Sequence, residues 1–365
     1  MSKAAELAKA GETLTNQPSG RKNIVTNGAM QVAQRSASVT GLGAASGYHT
    51  LDRFSVDIGA TASAGRFTMT QTADGPSGFA NCLKLDCTTA DTSIAAGEHL
   101  LIYQRLEGQD LQQIKKGTSD AELITLSFYV KANAAFTFGV ELFDIDNGRQ
   151  ITKLFATTTG WVRHELTFPA DTTGAFDDGN AASFQIVFWI HAGSTFTGGT
   201  LNTVAWAEND NANRAAGIDS FYSSTDNNFF ITGVQMEIGS QATNFEHRSF
   251  GEEYDLCKRY YYQSYDLGVA AGTTSDAGSI MHNLITGNTF RHNIMFNPAM
   301  RASPTMAFYN VEDGTAGEMN REGAGGTSPE AISITFASPK RAMLFNTDIG
   351  TAGNYYYHYT ANAEL

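Results

Sequence analysis

The sequence contains few charged residues and more acidic than basic ones, and both features argue against certain classes of binding partner. Charged residues make up 17% of the 365 residues, and 37 acidic against 24 basic side chains give a formal net charge of −13. Nucleic-acid binding requires a basic surface, and anionic membranes attract basic segments, so this composition argues against both partners. It predicts a surface of neutral polar side chains, which suits subunit packing or contacts with sugars.

Cysteine is also scarce. The three cysteines, Cys82, Cys87 and Cys257, have no metal-ligand spacing. Cys82 and Cys87 lie on one predicted strand with opposite orientations, so a disulfide between them is disfavoured. We expect reduced, buried thiols, as in a protein made in a cytoplasm. No apolar run near Met1 resembles a signal peptide, and no window is long enough for a transmembrane helix.

Motifs for catalysis and metal binding are missing as well. The sequence contains no G-x-S-x-G, no His-Glu-x-x-His and no phosphate-binding glycine loop, and its eight histidines are scattered. Residues 144–148 (DIDNG) begin like a calcium loop, but Arg149 and Phe155 stand where glycine and an acid are required. We therefore predict a hairpin turn there. The adjacent acids Asp177 and Asp178 are predicted to lie in a solvated loop. The expectation is a protein without catalysis, metal or cofactor.

What the sequence does contain is a pattern of short strands. Glycine (36 residues) far outnumbers proline (7 residues), and Asp-Gly, Asn-Gly and Gly-Gly turns separate alternating apolar runs. Strands are predicted at residues 67–71, 83–87, 123–131, 136–143, 161–168, 184–190 and 231–238, with one helical insert at 109–114. This spacing predicts an all-β fold in which residues 23–248 form an antiparallel jelly-roll β-sandwich. Such folds occur in viral structural domains and in carbohydrate-binding modules, which is an analogy of fold only.

A junction separates this body from a second one. Ser249 is a predicted helix cap with Glu252 three residues later, so residues 249–262 are interpreted as a junction helix, its helical turns running over residues 253–261. Residues 263–365 are predicted to form a smaller C-terminal β domain with strands at 289–296, 305–311, 331–336, 341–346 and 355–360. Residues 314–328 are predicted to be a mobile loop because they contain few apolar side chains.

The ends of the chain raise two open questions. Residues 2–10 have an alanine-rich helical pattern and are followed by a polar linker, so residues 1–22 form either a frayed terminus or an anchor. Near the other end, Tyr355, Tyr357 and Tyr359 share one face of a predicted strand. Exposed, they would stack on sugar rings and hydrogen-bond to them. The alternative is that they line a core or subunit interface, and this is favoured because any buried strand shows the same alternation.

Several ordered motifs resemble those of a family of bacteriophage tail-fibre and virion structural proteins. They are residues 23–35 (NIVTNGAMQVAQR), 51–54 (LDRF), 104–108 (QRLEG), 126–131 (LSFYVK), 232–239 (TGVQMEIG), 242–248 (ATNFEHR) and 257–261 (CKRYY). Tyr48 also matches, whereas Phe54 stands where the family usually has tryptophan. The resemblance covers residues 23–262.

The resemblance implies a virion protein made in the host cytoplasm, and a tail fibre in the first instance. It favours the anchor interpretation of the N-terminus, with Lys3, Leu7 and Lys9 as candidate docking residues for other virion proteins. It also implies a homotrimer and contact with a host-surface glycan. The alternative is a head decoration or tail-assembly protein that binds only other virion proteins. A polysaccharide-degrading enzyme ranks below both.

Overall fold

The chain folds into two facing antiparallel sheets followed by a smaller β region. The computed structural model describes Lys3 and residues 21–59, 63–284, 290–322, 329–346 and 352–365. Sheet I contains, in spatial order, β1 (Ser38–Leu42), β3 (Arg66–Thr72), β4 (Cys82–Thr89), β12 (Asn228–Ile238), β6 (Ile124–Ala132) and β9 (Val162–Phe168). Sheet II contains β11 (Ala207–Glu208), β8 (Arg149–Ala156), β7 (Thr137–Asp144), β10 (Ala182–Ala192), β5 (His99–Glu107) and β2 (Ser55–Ile58). The predicted antiparallel jelly-roll sandwich is confirmed.

Alternate residues of these strands fill the space between the sheets. On β10, Phe184, Ile186, Phe188 and Ile190 all belong to this core. The Phe188 ring meets that of Phe128 from sheet I edge to face, with centroids 5.2 Å apart. Because side chains alternate along a strand, the residues between them on β10 face away from the core. That outward face of sheet II carries the candidate site.

Two local predictions within the sandwich hold in substance. β7 and β8 pair antiparallel with Asp144 opposite Arg149, so residues 145–148 form the predicted hairpin turn. The helical insert consists of two successive 3₁₀ turns, Gly108–Asp110 and Gln112–Ile114. The second turn ends at Lys115, whose φ of 54° is left-handed and reverses the direction of the chain.

The C-terminal region, residues 261–365, is built around its last strand. Its strands are β13 (Tyr261–Gln263), β14 (Ile280–Leu284), β15 (Phe290–Met295), β16 (Thr305–Tyr309), β17 (Glu318–Arg321), β18 (Pro329–Ala331), β19 (Ser333–Ser338), β20 (Arg341–Asn346) and β21 (Gly353–Asn362). β21 pairs antiparallel with β13, β14, β16 and β17. β15, β20 and β19 form a separate three-stranded sheet. The two sets share one buried cluster that includes Phe290, Leu344 and Tyr357.

The predicted mobile loop at residues 314–328 is wrong for its first part. β17 lies within this range, pairs with both β18 and β21, and buries Met319 completely. A four-residue strand with one apolar side chain gives almost no periodicity, which explains why the sequence pattern missed it. Residues 323–328 lie outside the described residues.

The junction helix spans Phe250–Lys258 and is capped as predicted. The Ser249 side chain accepts a hydrogen bond from the Glu252 backbone N–H. The Glu252 carboxylate pairs with Arg21 instead of returning to the cap, so only half of a capping box forms. The helix begins three residues earlier than predicted because the residue after a cap is already helical. None of the helices in the described ranges is long and apolar enough to cross a membrane.

The segments that resemble the virion family pack against one another. Residue 28 approaches β12 so closely that a Cβ there would lie 2.1 Å from the Val234 carbonyl oxygen, which requires glycine. The Asn27 amide donates to the carbonyls of Val32 and Asp52, and its oxygen accepts from two backbone N–H groups. The first motif is therefore fixed to the strand that carries the later one.

Buried charges join the sandwich to the C-terminal region. We call Arg35, Asp52, Arg53, Tyr260 and Glu364 the polar hub. Arg53 is buried, pairs with Glu364 and places its guanidinium carbon 3.4 Å from the Tyr260 ring centroid. Arg35 lies 3.3 Å from Asp52 and 3.1 Å from Glu364. Burial raises the pKa of the Asp52 carboxyl to about 7, against the lowering effect of Arg35.

The three cysteines occupy buried positions with free thiols, as predicted. Burial raises the pKa of the Cys82 thiol to about 12 and that of Cys87 to about 11. The pKa of Cys257 is raised as well, for the same reason. Thiols that are neutral and covered in this way act as small apolar side chains.

Candidate functional site

The outward face of sheet II carries a row of side chains that do not enter the core between the sheets, although Tyr103 and Val187 belong to a smaller buried cluster on this outer side. Gln185 on β10 lies opposite Arg105 of β5 on one side and opposite Phe143 of β7 on the other. Two residues further along β10, Val187 lies opposite Tyr103. Directly opposed residues on neighbouring strands are about 5 Å apart, so these side chains form one continuous surface.

One side of this surface is bounded by the segment between β10 and β12. From that segment, Arg214 donates to both carboxylate oxygens of Glu141 at 2.9 Å, and Trp189 Nε1 donates to the same carboxylate at 2.9 Å. The Arg214 guanidinium carbon lies 4.9 Å from the Phe143 ring centroid. The charge-assisted hydrogen bonds to Glu141 hold Arg214 in place, and Arg214 in turn packs beside Phe143. The two side chains therefore form a rigid wall.

The opposite side is bounded by the last residues of the chain. The Arg105 guanidinium carbon lies 4.9 Å from the Tyr103 ring centroid, and its Nη1 donates to the Leu365 backbone oxygen at 3.1 Å. Tyr48 donates to the same oxygen at 3.5 Å. We call the surface between the two walls, comprising Tyr103, Arg105, Phe143, Gln185 and Arg214, the outer groove.

The groove floor has polar groups without partners. Within the described ranges, the Tyr103 hydroxyl and the Gln185 side-chain amide make no hydrogen bond, although the two residues are only 7% and 8% exposed. Neither group belongs to the polar atoms that the fold seals from solvent without a partner, so both are open to water or to a ligand. Aromatic rings beside planar amide and guanidinium groups suit a polyhydroxylated ligand, whose C–H faces pack on rings while its hydroxyls bond the polar groups.

The tyrosine row predicted to contact glycan lies in the core of the C-terminal region instead. Tyr355 and Tyr357 are completely buried, and Tyr359 is nearly so. The Tyr357 hydroxyl hydrogen-bonds His292 Nδ1 at 2.6 Å, and its ring meets that of Phe290 edge to face. Strands pair with β21 on both sides and its odd-numbered face is covered, so this row offers no surface to a sugar. The packing interpretation replaces the surface interpretation.

The predicted docking residues are almost entirely beyond the described part of the chain. Lys3 is helical and exposed. Leu7 and Lys9 lie outside the described residues. The anchor thus remains a prediction from the sequence.

The acidic candidates are engaged in local structure. Asp177 accepts hydrogen bonds from Gly179 N and Ser183 Oγ at 3.0 and 3.1 Å, in an exposed loop that also contains Asp178. Asp144, from the DIDNG stretch, is buried and lies 2.5 Å from Lys116 Nζ. Across the ranges that the structure describes, no group of three or more His, Cys, Asp or Glu side chains is arranged to hold a metal ion.

The sequence did contain a weak signal for the outer groove. Gln185 is a polar residue within the otherwise apolar stretch of β10, and Tyr103 and Phe143 occupy positions of the same alternation on β5 and β7. A glutamine inside an apolar strand indicates a face with polar contacts. The strand partners that bring the three together come from distant parts of the chain, and no local pattern specifies them.

No protein-family model and no curated protein sequence matches this chain. Among solved structures, the enzymatically active domain of bacteriophage CBA120 tailspike protein 4 aligns with 59% of this chain and only 21% of its own, at 13% identity and a TM-score of 0.30. A CBM4 structure aligns with 59% of this chain and 99% of its own, at 11% identity and a TM-score of 0.30. The tandem CBM22-1–CBM22-2 domains of Paenibacillus barcinonensis Xyn10C align with 96% of this chain and 93% of their own, at 9% identity and a TM-score of 0.28. At these distances, function must be argued from the groove itself.

Proposed function

We propose that this protein is a structural component of a bacteriophage virion, a tail fibre that holds a host-surface glycan in the outer groove. The observation that carries the glycan part is a pair of groups on the groove floor that have no hydrogen-bond partner among the described residues, the Tyr103 hydroxyl and the Gln185 amide. The virion part is supported by the ordered motifs of residues 23–262. The close packing of Gly28 on Val234 gives two of those motifs a shared structural reason.

Binding would divide the ligand between rings and polar groups. The C–H face of a sugar would pack on Phe143, while its hydroxyls would bond the Tyr103 hydroxyl, the Gln185 amide and the Arg105 guanidinium. Such contacts are weak at one site, and multivalent presentation raises the overall affinity by a factor of about 10² to 10⁴. Homotrimerisation would supply three grooves per fibre. In this proposal the protein is not an enzyme, and it engages neither nucleic acid nor membrane.

Attachment to the particle would use the N-terminal segment. Residues 1–22 would dock to another virion protein through Lys3, Leu7 and Lys9, leaving the sandwich free to project. Light scattering on the full chain, with and without residues 1–20, tests this arrangement. We expect a mass of three chains in both cases. A single-chain mass in both would contradict a self-assembling fibre.

The glycan proposal is tested by binding of the purified full chain to an array of bacterial surface polysaccharides, followed by titration of the best ligand. Gln185→Ala and Phe143→Ala should each weaken that binding at least tenfold, because each removes one class of contact. Gln241→Ala is the matched control, since Gln241 is an exposed glutamine away from the groove. Equal binding by the wild type and both groove variants would overturn the proposal.

A second candidate function is a head decoration or tail-assembly protein that binds only other virion proteins. It is favoured by large apolar side chains that strands of the C-terminal region leave exposed, namely Met281, Met295 and Phe336. Exposed apolar side chains of this kind mark contact surfaces for other proteins. This candidate predicts binding to purified phage particles that lack the protein, and no binding on the polysaccharide array.

A further inference from the structure

A cavity of about 380 Å³ lies at one end of the sandwich, away from the outer groove. It is formed where the two 3₁₀ turns of residues 108–114 meet the loop that follows β9. Its lining includes Leu111, Gln112, Thr118, Asp120 and Phe176. This volume falls within the range of about 300 to 1,000 Å³ that is usual for small-molecule sites.

The cavity walls are held in place by buried charge. Lys116 is buried, and its Nζ donates to the carbonyls of Thr173 and Gly174 at 2.7 Å and lies 3.2 Å from Asp171. Gly117 has a φ of +80°, and a Cβ there would lie 2.6 Å from the Ala175 backbone nitrogen. The two loops are therefore locked together, and the cavity exists before any ligand arrives.

The charges around the cavity exclude an anionic ligand. The ammonium groups of Lys115 and Lys116 are already paired, the first with Glu122 at 2.7 Å and the second with Asp144 at 2.5 Å. Asp120 adds a carboxylate that is exposed and forms no ion pair in the described part of the chain. Among the described residues that line the cavity, every cation thus has a carboxylate partner and none is left for a phosphate, sulfate or uronate, and the local net charge is negative.

The remaining features suit a neutral sugar. Phe176, which is 8% exposed, supplies a small apolar surface. The Gln112 amide nitrogen donates to the Gly108 and Asp177 carbonyls and the Thr118 hydroxyl donates to the Lys115 carbonyl, so the groups left for a ligand are two acceptors, the Gln112 side-chain oxygen and the Asp120 carboxylate. A carboxylate accepts two hydrogen bonds from neighbouring hydroxyls of a sugar ring, and such charge-assisted bonds are stronger than neutral ones. The ring face opposite them would pack against the Phe176 side chain.

We propose that this cavity binds one neutral pyranose, the terminal residue of a glycan chain, as a second site on the same sandwich. The inference rests on the proposed function in that both sites take glycan. They differ in what they bind, because the groove follows a chain and the cavity receives its end. A particle would then hold a polysaccharide at two places per subunit.

The test uses the full chain carrying Gln185→Ala, so that binding at the groove is already weakened. Saturation-transfer NMR and calorimetry would be run with the methyl glycosides of glucose, galactose, mannose and rhamnose. We expect at least one of them to bind. Asp120→Asn should weaken that binding at least fivefold, and Ala175→Phe should abolish it by filling the cavity.

Asp178→Asn is the matched control, because Asp178 is an exposed carboxylate of the adjacent loop. Substitution of exposed or lining residues is preferred to Phe176→Ala, since Phe176 packs on Phe184 and its loss endangers the fold. Absence of binding by all four glycosides, or unchanged binding by both cavity variants, would overturn the inference. Array binding that depends on Gln185 would still stand in that case, so the two proposals fail separately.

Discussion

The sandwich and the C-terminal region use the same antiparallel pairing but bury their apolar side chains to different degrees. Among the described strands, the sandwich leaves one large apolar side chain exposed, Leu154 on β8. The C-terminal region leaves four, Met281, Met295, Ile334 and Phe336, and Met295 is 66% exposed. Loops of the sandwich also expose Ile94, Leu123 and Val204, so the contrast concerns the strands. The strands of the sandwich bury their apolar side chains in their own cores, whereas the strands of the smaller region keep apolar surface for contacts outside it.

The polar hub complicates that contrast, because it makes the two regions dependent on each other. Arg53 comes from the sandwich and is buried, and its carboxylate partner Glu364 comes from the far end of the chain. Separating the regions would leave a buried guanidinium without its counter-charge, which is strongly unfavourable. We therefore expect the whole molecule to unfold as one unit in spite of its two cores.

The largest expected effect comes from emptying either core. Phe188→Ala in the sandwich and Phe290→Ala in the C-terminal region should each lower the free energy of unfolding by about 3–5 kcal/mol. All three tryptophans, Trp161, Trp189 and Trp206, lie in the sandwich. Tryptophan fluorescence then reports the sandwich alone, and far-ultraviolet circular dichroism reports both regions.

If the two regions unfold together, Phe290→Ala shifts the urea midpoint of the fluorescence transition as much as that of the dichroism transition. If the regions unfold independently, this variant leaves the fluorescence transition where the wild type has it. That outcome would show that the sandwich and the C-terminal region unfold as two autonomous units.

The next largest effect is expected at the hub itself. Glu364→Ala should cost about 3 kcal/mol, because it leaves Arg53 buried without a carboxylate and takes one of two partners from Arg35. Glu122→Ala is the control, since the Glu122–Lys115 pair is exposed and solvent screens such pairs, so this substitution should cost far less. Urea unfolding measures both variants. Equal costs for the two would show that the hub does not couple the regions.

A smaller effect concerns pH. The folded pKa of Asp52 is about 7, above its unfolded value of about 4. The native state therefore holds this proton more tightly, and the stability it contributes is present below about pH 4 and is lost as pH rises through about 7. Asp52→Asn removes that dependence.

Comparing urea midpoints of the wild type and Asp52→Asn between pH 5 and 8 isolates this contribution from all other titrating groups. The wild type should lose about 1–3 kcal/mol relative to the variant over that range. Parallel profiles would mean that Arg35 keeps Asp52 ionised throughout.

How far the sequence predicts this structure depends on whether a feature is local. The cap at Ser249 and the hairpin at residues 145–148 were predictable because a few adjacent residues determine each of them. The outer groove was not, because its floor needs Tyr103, Gln185 and Phe143 from three separate strands in one register. The polar hub likewise joins residues at opposite ends of the chain, and the spacing of residues along the sequence does not predict which of them pair.

The tyrosine row on β21 shows a different limit, and it provides the smallest predicted effect. The alternation of side chains along the strand predicted which tyrosines share a face, but it did not predict whether that face lies against solvent or in a core. Because Tyr357 is buried and its hydroxyl bonds only His292 among the described contacts, Tyr357→Phe should cost about 1 kcal/mol of stability. The same variant should bind the polysaccharide array as the wild type does, since its ring never reaches a ligand. Loss of glycan binding without loss of stability would indicate that the tyrosine row is exposed and that the glycan site lies in the C-terminal region and not in the sandwich.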